Sequence, residues 1–320
     1  MWDNFVYSIN VILPVFILVA LGYIFKRTNF LTDGFLTTAD KLVFKVMLPS
    51  LMFLGTAKSR MEDSAGQLQL IVLACAGITL SFVLCGLVFP IFVRENDKRG
   101  AMIQGAFRSN FSILGVPLAA AMFGETGVAL MAMLMPPVTI LYNVYSVIVL
   151  SVFAPRDTKP SLARTISAIV VSTLKNPLII AVILGLPFML LEIPLPRFAE
   201  DSLSYLADAT FAVSLISLGA GMSGMALVGK IKYSLAASLV KVVLLPALMT
   251  VSAYLSGLRG LELGLIFVLF GSPAAVASYI MAKNMKSDGE LAGQILLLTS
   301  MLCPITLFSG IFVMKSIGWL

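Results

Sequence analysis

The 320-residue sequence contains no histidine and only three cysteines. Without histidine there is neither a Ser-His catalytic pair nor a histidine metal ligand. Cys75, Cys85 and Cys303 lack the spacing of a metal site and lie in apolar runs, where free thiols behave as small hydrophobic groups. No glycine-rich phosphate loop follows a strand-like segment. We therefore predict that the protein is not an enzyme and binds neither a metal nor a cofactor.

Charged residues are also scarce. They make up 12% of the chain, against 59% hydrophobic residues and a mean hydropathy of +1.00. Ordinary soluble domains contain about a quarter charged residues, so the composition predicts an integral membrane protein. The formal net charge of +6 does not indicate nucleic-acid binding, because no basic cluster is interleaved with aromatic residues. Residues 1–4 lack the positive segment of a signal peptide, so the first apolar run is predicted to remain as a membrane helix.

Ten apolar runs have the length of a membrane-spanning helix. A bilayer core of roughly 30 Å requires about 20 helical residues. The sequence therefore predicts an all-α integral membrane protein with ten transmembrane helices, called spans 1 to 10 below. These spans lie at residues 4–25, 39–57, 68–93, 101–123, 127–153, 177–195, 203–227, 233–257, 261–282 and 289–314.

The longest connection, residues 154–176, divides the spans five and five. Its apolar stretch at 166–174 predicts a short helix on the membrane surface. Because each half has an odd number of spans, related halves must be inverted across the membrane, as in many secondary transporters. Two weak repeats occur in equivalent order: Pro-Val-Thr-Ile in span 5 matches Pro-Ile-Thr-Leu in span 10, and an Ala-Asp pair lies near the start of spans 2 and 7. The predicted divisions are residues 1–153, 154–176 and 177–320.

Cationic residues are distributed unevenly between the two sides. Of the 22, fourteen fall on the side of the 154–176 loop, five on the other side and three within spans. The positive-inside rule makes the richer side cytoplasmic and places both termini outside. The fourteen are Lys26, Arg27, Lys41, Arg94, Lys98, Arg99, Arg156, Lys159, Arg164, Lys175, Lys230, Lys232, Lys283 and Lys286; the five are Lys58, Arg60, Arg197, Arg259 and Lys315.

Spans 4 and 9 contain helix-breaking residues near their centres. Span 4 reads RSNFSILGVP over residues 108–117, and span 9 reads GSP over 271–273. We predict local unwinding between residues 110 and 117, a half-helix beginning at Pro117, and a related break in span 9. Two half-helix N-termini meeting in a polar cavity would offer N–H groups to an anion. The alternative is that these residues form packing kinks.

The charges within the spans indicate what such a cavity binds. Arg108 and Lys241 each lie about eight residues, or roughly 12 Å, from the cytoplasmic end of a span. Cations without central carboxylates favour an anionic substrate and disfavour an antiporter with a deep acidic pair. The alternative is snorkelling to the headgroups, which we expect for Lys45. The acidic residues nearest to the span centres are Asp40, Glu125, Asp208 and Glu262.

Span 5 adds polar residues that could line the same cavity or could bond between helices. They are Asn143 with Thr139, Tyr142 and Tyr145. The complete set of candidate substrate-binding residues is Arg108, Asn110, Ser112, Gly115, Pro117, Asn143, Lys241, Gly271, Ser272, Pro273 and Ser278.

The sequence resembles the auxin efflux carrier family, including its bacterial branch of small carboxylate carriers. Span 4 carries the resemblance through Asn110, Gly115, Pro117–Leu118 and residues 121–125, AMFGE. Supporting matches are residues 41–53 with Pro49, the Ala282-Lys283 pair and residues 304–307. Span 9 departs from the plant pattern, in which a proline is expected near Ser278, and the central loop lacks the long regulatory stretch of many plant members.

The resemblance implies a fold like that of sodium/bile acid symporters and sodium/proton antiporters. Ten helices would form two inverted five-helix repeats, in which broken spans 4 and 9 cross. Spans 1, 2, 6 and 7 would form a dimerising scaffold, and spans 3–5 and 8–10 a transport domain. Asn110 and Pro117 carry over as crossover and substrate-site positions. A small dicarboxylate or hydroxycarboxylate is a better expected substrate than auxin.

Three functions stay open at this point. They are a secondary carrier of organic anions with an elevator-like motion, a cation-coupled solute symporter of the same fold, and a non-transporting membrane receptor or scaffold. Without a central carboxylate or histidine, we expect sodium to be dispensable, with voltage or a co-transported proton sufficient; Asp40 and Asp208 are the proton candidates. The expected partners are a small organic anion, the lipid bilayer and a second copy of the chain, in the plasma membrane.

Overall fold

The computed structural model describes residues 1–58, 64–153, 167, 171, 174–223 and 231–320. Across these residues the chain is helical and has no β-strand, apart from one isolated bridge between Ser109 and Ala274. The all-α prediction is therefore confirmed for the described part of the chain. The surface helix predicted at 166–174 falls largely outside the described residues.

The helices follow the apolar runs of the sequence. In chain order they are α1 (Trp2–Arg27), α2 (Asp33–Leu42), α3 (Leu48–Ala57), α4 (Ser64–Phe92), α5 (Asn96–Phe107), α6 (Val116–Val152), α7 (Pro177–Leu190), α8 (Arg197–Met222), α9 (Ile231–Leu239), α10 (Leu245–Leu255), α11 (Gly260–Gly271), α12 (Val276–Asn284) and α13 (Gly289–Ser316). Wide π-turns at Val43–Met47, Phe111–Gly115 and Val240–Leu244 lead into α3, α6 and α10.

Within the described ranges, six helices are long and apolar enough to cross a membrane, and two shorter apolar helices accompany them. This number is smaller than the number of predicted spans for several physical reasons. The helix of span 6, α7, has only 14 residues, and three charged residues at positions 40, 41 and 45 lower the hydropathy of span 2. The helical run Phe111–Val152 contains the end of span 4 and nearly all of span 5, divided where Gly124 adopts a positive φ of 61°. Spans 4 and 9 are also interrupted, so α5, α11 and α12 are each shorter than a full crossing.

Each π-turn is followed by a proline at the second position of the next helix: Pro49, Pro117 and Pro246. A proline ring clashes with the carbonyl four residues earlier and supplies no N–H group. The wider turn moves that carbonyl and changes the hydrogen-bond register, so the helix continues through the proline. These prolines therefore do not interrupt their spans.

The helices α1 and α8 approach each other unusually closely, and α3 packs along α7 and α8. A Cβ atom on Gly22 would lie 1.9 Å from the carbonyl oxygen of Ile216, and one on Gly219 would lie 1.8 Å from that of Val19. Both positions therefore have room only for glycine. The reciprocal contact, one glycine from each helix against the backbone of the other, holds α1 and α8 together as one unit.

Candidate functional site

Two interrupted spans cross in the middle of the molecule. The helix α5 ends at Phe107 and α11 ends at Gly271, and the extended segments that follow, residues 108–110 and 272–275, run antiparallel to each other. The amide of Asn110 donates to the carbonyl of Pro273 at 2.8 Å, and the amide of Ala275 donates to the carbonyl of Arg108 at 3.3 Å. Each broken segment therefore satisfies part of the backbone of the other. We call residues 108–110 and 272–275 the crossover.

The break in span 4 lies earlier than the residue pattern predicts. Helical bonding resumes at Phe111, and Pro117 lies inside the continuing helix rather than at the start of a half-helix. The physical reason is that the π-turn at Phe111–Gly115 accommodates Pro117, while the backbone of span 9 supplies partners for residues 108–110. The break in span 9 does begin next to Gly271, as predicted.

Arg108 is buried at the crossover, with 9% of its surface exposed. Its Nη1 donates to the Ser146 hydroxyl and to the Met281 sulfur, both at 3.0 Å, and its Nη2 donates to Asn143 Oδ1 at 3.0 Å. All three partners are neutral. The described residues form three ion pairs, and none of them involves Arg108. The guanidinium is thus a buried cation without a counterion in the described part of the chain, an arrangement that favours an anion beside it.

Asn110 adds an amide to the same place. The residue is 3% exposed, and its Nδ2 has no hydrogen-bond partner among the described residues. Buried polar groups are normally paired, so an unpaired donor marks a position where a ligand atom can bind. The first turn after each break also faces this region, because Ser112 and Ile113 on one side and Val276 and Ala277 on the other line a common cavity. First-turn N–H groups have no intrahelical acceptor and attract negative charge.

The cavity has a volume of about 560 Å³ and is lined by residues from several helices. It brings together four of the candidate residues, Arg108, Asn110, Ser112 and Asn143, with Thr139 and Tyr142 of α6 beside them. Its opposite wall comes from α2, the π-turn after it, and α8. The remaining candidates, Gly115, Pro117, Lys241, Gly271, Ser272, Pro273 and Ser278, are not among the lining residues.

Several of the candidates that do not line the cavity lie in the crossover segments or pack against them. The Ser272 hydroxyl donates to Val268 O at 2.7 Å, and its carbonyl accepts from the Ser109 hydroxyl at 3.1 Å. A Cβ atom on Gly115 would lie 3.1 Å from Ser272 Oγ, so a side chain there would press on the second broken segment. Ser278 is buried in the second half-helix, and its hydroxyl lacks a partner within the described residues.

Lys241 is fully buried but does not enter the cavity. Its Nζ donates to the carbonyl of Phe270 at 2.6 Å, at the C-terminal end of α11. A cation at a helix C-terminus interacts favourably with the helix dipole and with an orphan carbonyl. Lys241 thus stabilises the end of the broken helix, whereas Lys45 is exposed on the π-turn of span 2. The two cations at similar predicted depth, Arg108 and Lys241, therefore lie in different environments.

Several lining residues were not among the candidates from the sequence. Asp40 accepts a hydrogen bond from the Ser217 hydroxyl, and Ser214 lies one turn before Ser217 on α8. The side chain of Asn176 accepts from the amide of Leu178 at the start of α7 and also lines the cavity. The spacing of Ser214 and Ser217 on one face of an apolar helix was an available signal. Nothing in the sequence placed that face opposite Arg108.

A second cavity, of about 660 Å³, lies near the other end of α8. Lys58, Gln67, Glu125, Asp208 and Glu262 supply its charged and amide groups. Its lining does not include the crossover residues. Only the first of these two cavities therefore reaches Arg108 and Asn110.

Comparisons with known proteins find similar sequences over nearly the whole chain. A family model described as "Membrane transport protein" matches residues 7–309. A protein named an uncharacterized transporter, from Methanocaldococcus jannaschii, is 26% identical over 298 residues, which cover 91% of this chain and 94% of that protein. Another uncharacterized transporter, from Methanothermobacter thermautotrophicus, is 22% identical over 307 residues, covering 95% and 97%. The family match includes both broken spans.

Proposed function

Because the chain belongs to the auxin efflux carrier family of membrane transport proteins, we propose that it is a secondary carrier of small organic anions, with carboxylates as the substrate class, in the plasma membrane. The family is one of transporters and not of enzymes. The observation that carries the substrate class is the buried guanidinium of Arg108 at the crossover, which forms no ion pair with any of the described residues.

The chemistry of the crossover suits a carboxylate. A guanidinium presents a planar fork that matches the two oxygens of a carboxylate, and charge-assisted bonds of this kind are stronger than neutral ones. The Nδ2 group of Asn110 supplies a further donor, and the half-helix N-termini add N–H groups with partial positive charge. We therefore assign Arg108 and Asn110 to direct contact with the carboxylate. Asn143 and Ser146 hold the guanidinium in position.

The proposed transport mechanism is an elevator-like motion of one group of spans against another. The supporting features are the close packing of α1 on α8 and of α3 on α7, which suits a rigid scaffold of spans 1, 2, 6 and 7. The crossover belongs to the other spans, 3–5 and 8–10, which would form the transport domain of two inverted five-helix repeats. Asp40 lines the first cavity and Asp208 the second, at opposite ends of α8, as related positions in inverted repeats would.

The scaffold is also the proposed contact between two copies of the chain. Exposed aliphatic residues on α1 and α7, such as Leu13, Ile17, Ile183 and Leu184, provide apolar surface on two of the four scaffold spans. Native mass spectrometry of the protein released from mild detergent would detect a homodimer. A spectrum that contains only monomer would contradict this proposal.

Coupling to sodium is not favoured by the crossover. In carriers with broken helices, exposed carbonyls at half-helix C-termini bind the coupling cation. Here the carbonyl of Phe270 accepts from Lys241, that of Ser272 from Ser109, and that of Pro273 from the Asn110 amide. The ammonium of Lys241 therefore lies where a cation would otherwise be needed. The second candidate function is therefore a symporter coupled to protons and not to sodium.

We expect labelled carboxylate to accumulate in proteoliposomes under an imposed voltage or pH gradient, whether the medium contains sodium or choline. A panel of mono- and dicarboxylates should reveal at least one transported compound. Uptake that disappears when choline replaces sodium at fixed voltage and pH would contradict the coupling assignment. An absence of uptake across the whole panel would contradict the proposed function and would favour a receptor.

The proposed orientation places the 154–176 connection in the cytoplasm and both termini outside, from the uneven distribution of cations. Two exposed positions test it in a background without the native cysteines: Lys175 within that connection and Ser316 at the end of α13. An impermeant maleimide added to intact cells should label Ser316→Cys, and should label Lys175→Cys only after permeabilisation. The reverse pattern would show that the topology is inverted.

A further inference from the structure

The cavity beside the crossover is lined by a carboxylate as well as by the guanidinium of Arg108. Asp40 of α2 lines it together with Ser214 and Ser217 of α8. The Ser217 hydroxyl donates to Asp40 Oδ1, so the carboxylate is held at the wall while its other lone pairs remain able to accept. This group has the opposite sign to Arg108 and opposite hydrogen-bonding character.

The two charged groups, Arg108 and Asp40, lie on different walls. Arg108 is held by residues of α6 and α12, whereas Asp40 is held by α8. Among the described residues the two do not form an ion pair, so each charge remains available to a ligand. Apolar side chains occupy other parts of the lining, including Phe44, Leu48, Leu218 and Ile280. The cavity thus offers donors on one wall, an acceptor on the other and hydrocarbon contact elsewhere.

Building on the proposed function, we infer that the preferred substrate is a monocarboxylate with a hydrogen-bond donor, a hydroxyl or an ammonium, at its far end. Its carboxylate binds Arg108 and Asn110, its carbon skeleton contacts the apolar lining, and its donor binds Asp40. A dicarboxylate would place its second negative charge beside the Asp40 carboxylate. Repulsion between these like charges would weaken the binding of the dicarboxylate. This selects against the dicarboxylates that the sequence resemblance leaves open.

Matched probes of equal chain length test this inference. One set is butyrate, 4-hydroxybutyrate and succinate, and the other is hexanoate, 6-hydroxyhexanoate and adipate. Dissociation constants are measured by isothermal titration with the purified full-length protein in detergent. We expect each hydroxy acid to bind about fivefold to tenfold more tightly than the diacid of the same length, the range that one additional hydrogen bond and one removed repulsion provide.

Substitutions at two aspartates of α2 test whether Asp40 causes the preference for hydroxy acids over diacids. Asp40→Asn replaces the acceptor by an amide that can donate to a second carboxylate, so the difference between hydroxy acid and diacid should shrink to less than about twofold. Asp33→Asn removes the same charge from the same helix, but Asp33 pairs with Lys26 and does not line the cavity, so it should leave the difference unchanged.

The outcomes separate this inference from the function on which it rests. If wild-type protein binds the diacids as tightly as the hydroxy acids, or if Asp40→Asn leaves the difference intact, the inference is overturned. Weaker binding of every probe by Arg108→Gln would still support a carboxylate carrier in that case. If no probe binds to the wild-type protein, both the inference and the proposed function fail. The wild-type comparison needs no variant, so it remains decisive even if Asp40→Asn does not fold.

Discussion

Arg108→Gln should weaken the binding of a carboxylate substrate at least tenfold while leaving the protein folded. The substitution removes a charge-assisted hydrogen bond, which contributes about 1.5–3 kcal/mol, and 1.4 kcal/mol corresponds to a factor of about ten in affinity. Glutamine is shorter than arginine but polar and neutral, so the substitution leaves no unpaired charge beside Asn143 and Ser146, and the protein should stay folded. Isothermal titration with the tightest-binding carboxylate of the panel measures the effect directly.

Three further variants are compared with Arg108→Gln: one tests the shape of the guanidinium, one tests the second donor, and one is a control outside the cavity. Arg108→Lys should restore binding only in part, because an ammonium is a point charge without the planar fork. Asn110→Ala should weaken binding by removing the unpaired Nδ2 donor. Lys45→Gln should have little effect, since this exposed cation lies outside the cavity lining. Equal affinity for wild type and Arg108→Gln, with both proteins folded, would contradict the assignment.

Gly219→Ala should strongly destabilise the protein or prevent its expression. The added methyl group would lie 1.8 Å from the carbonyl oxygen of Val19, a backbone atom that cannot rotate away. Overpacking of a tight core costs about 1–3 kcal/mol and more where the backbone itself must move, so we expect a loss of about 3 kcal/mol or more. The apparent melting temperature in detergent should fall by several degrees, and uptake by surviving protein should be reduced because α1 and α8 are forced apart.

Gly221 supplies the matched control for this substitution. It lies two residues further along α8, and a Cβ atom there would have no neighbour within 4 Å. Gly221→Ala should therefore leave the melting temperature unchanged or raise it slightly, because alanine favours a helix more than glycine does. Equal stability of Gly219→Ala and Gly221→Ala would contradict the close packing of α1 on α8.

The sequence was sufficient to predict the helical runs and the interruption of two of them, because hydropathy, glycine and proline act locally. It misplaced the break in span 4. The residues 108–110 unwind because the backbone of residues 272–275 supplies their hydrogen-bond partners, and that contact joins residues more than 160 positions apart. The proline that indicated the break is instead accommodated by a π-turn, a local geometry that the residue pattern did not reveal.

Arg108 and Lys241 show that the sequence also did not reveal the direction in which a side chain points. Depth along a span follows from counting residues, and it was similar for the two cations. The direction in which a side chain points depends on the rotation of each helix against its neighbours. Sequence periodicity could not determine this rotation, because the apolar residues of spans 4 and 8 are not confined to one helix face. Arg108 therefore lines the cavity while Lys241 caps the carbonyl of Phe270. For the same reason, the sequence indicated Asp40 as a proton candidate near a span end but did not place it in the cavity wall.

In the proposed function, an organic anion is carried through a site built around Arg108. Counterflow of a labelled carboxylate in proteoliposomes that contain equal amounts of wild type, Lys45→Gln or Arg108→Gln tests this claim most directly. Exchange needs no ion gradient, so it does not depend on how transport is coupled. We expect saturable exchange by wild type and Lys45→Gln, and at least about tenfold slower exchange by Arg108→Gln at low substrate concentration. Exchange at equal rates by all three proteins, or by none of them, would contradict transport through the Arg108 site.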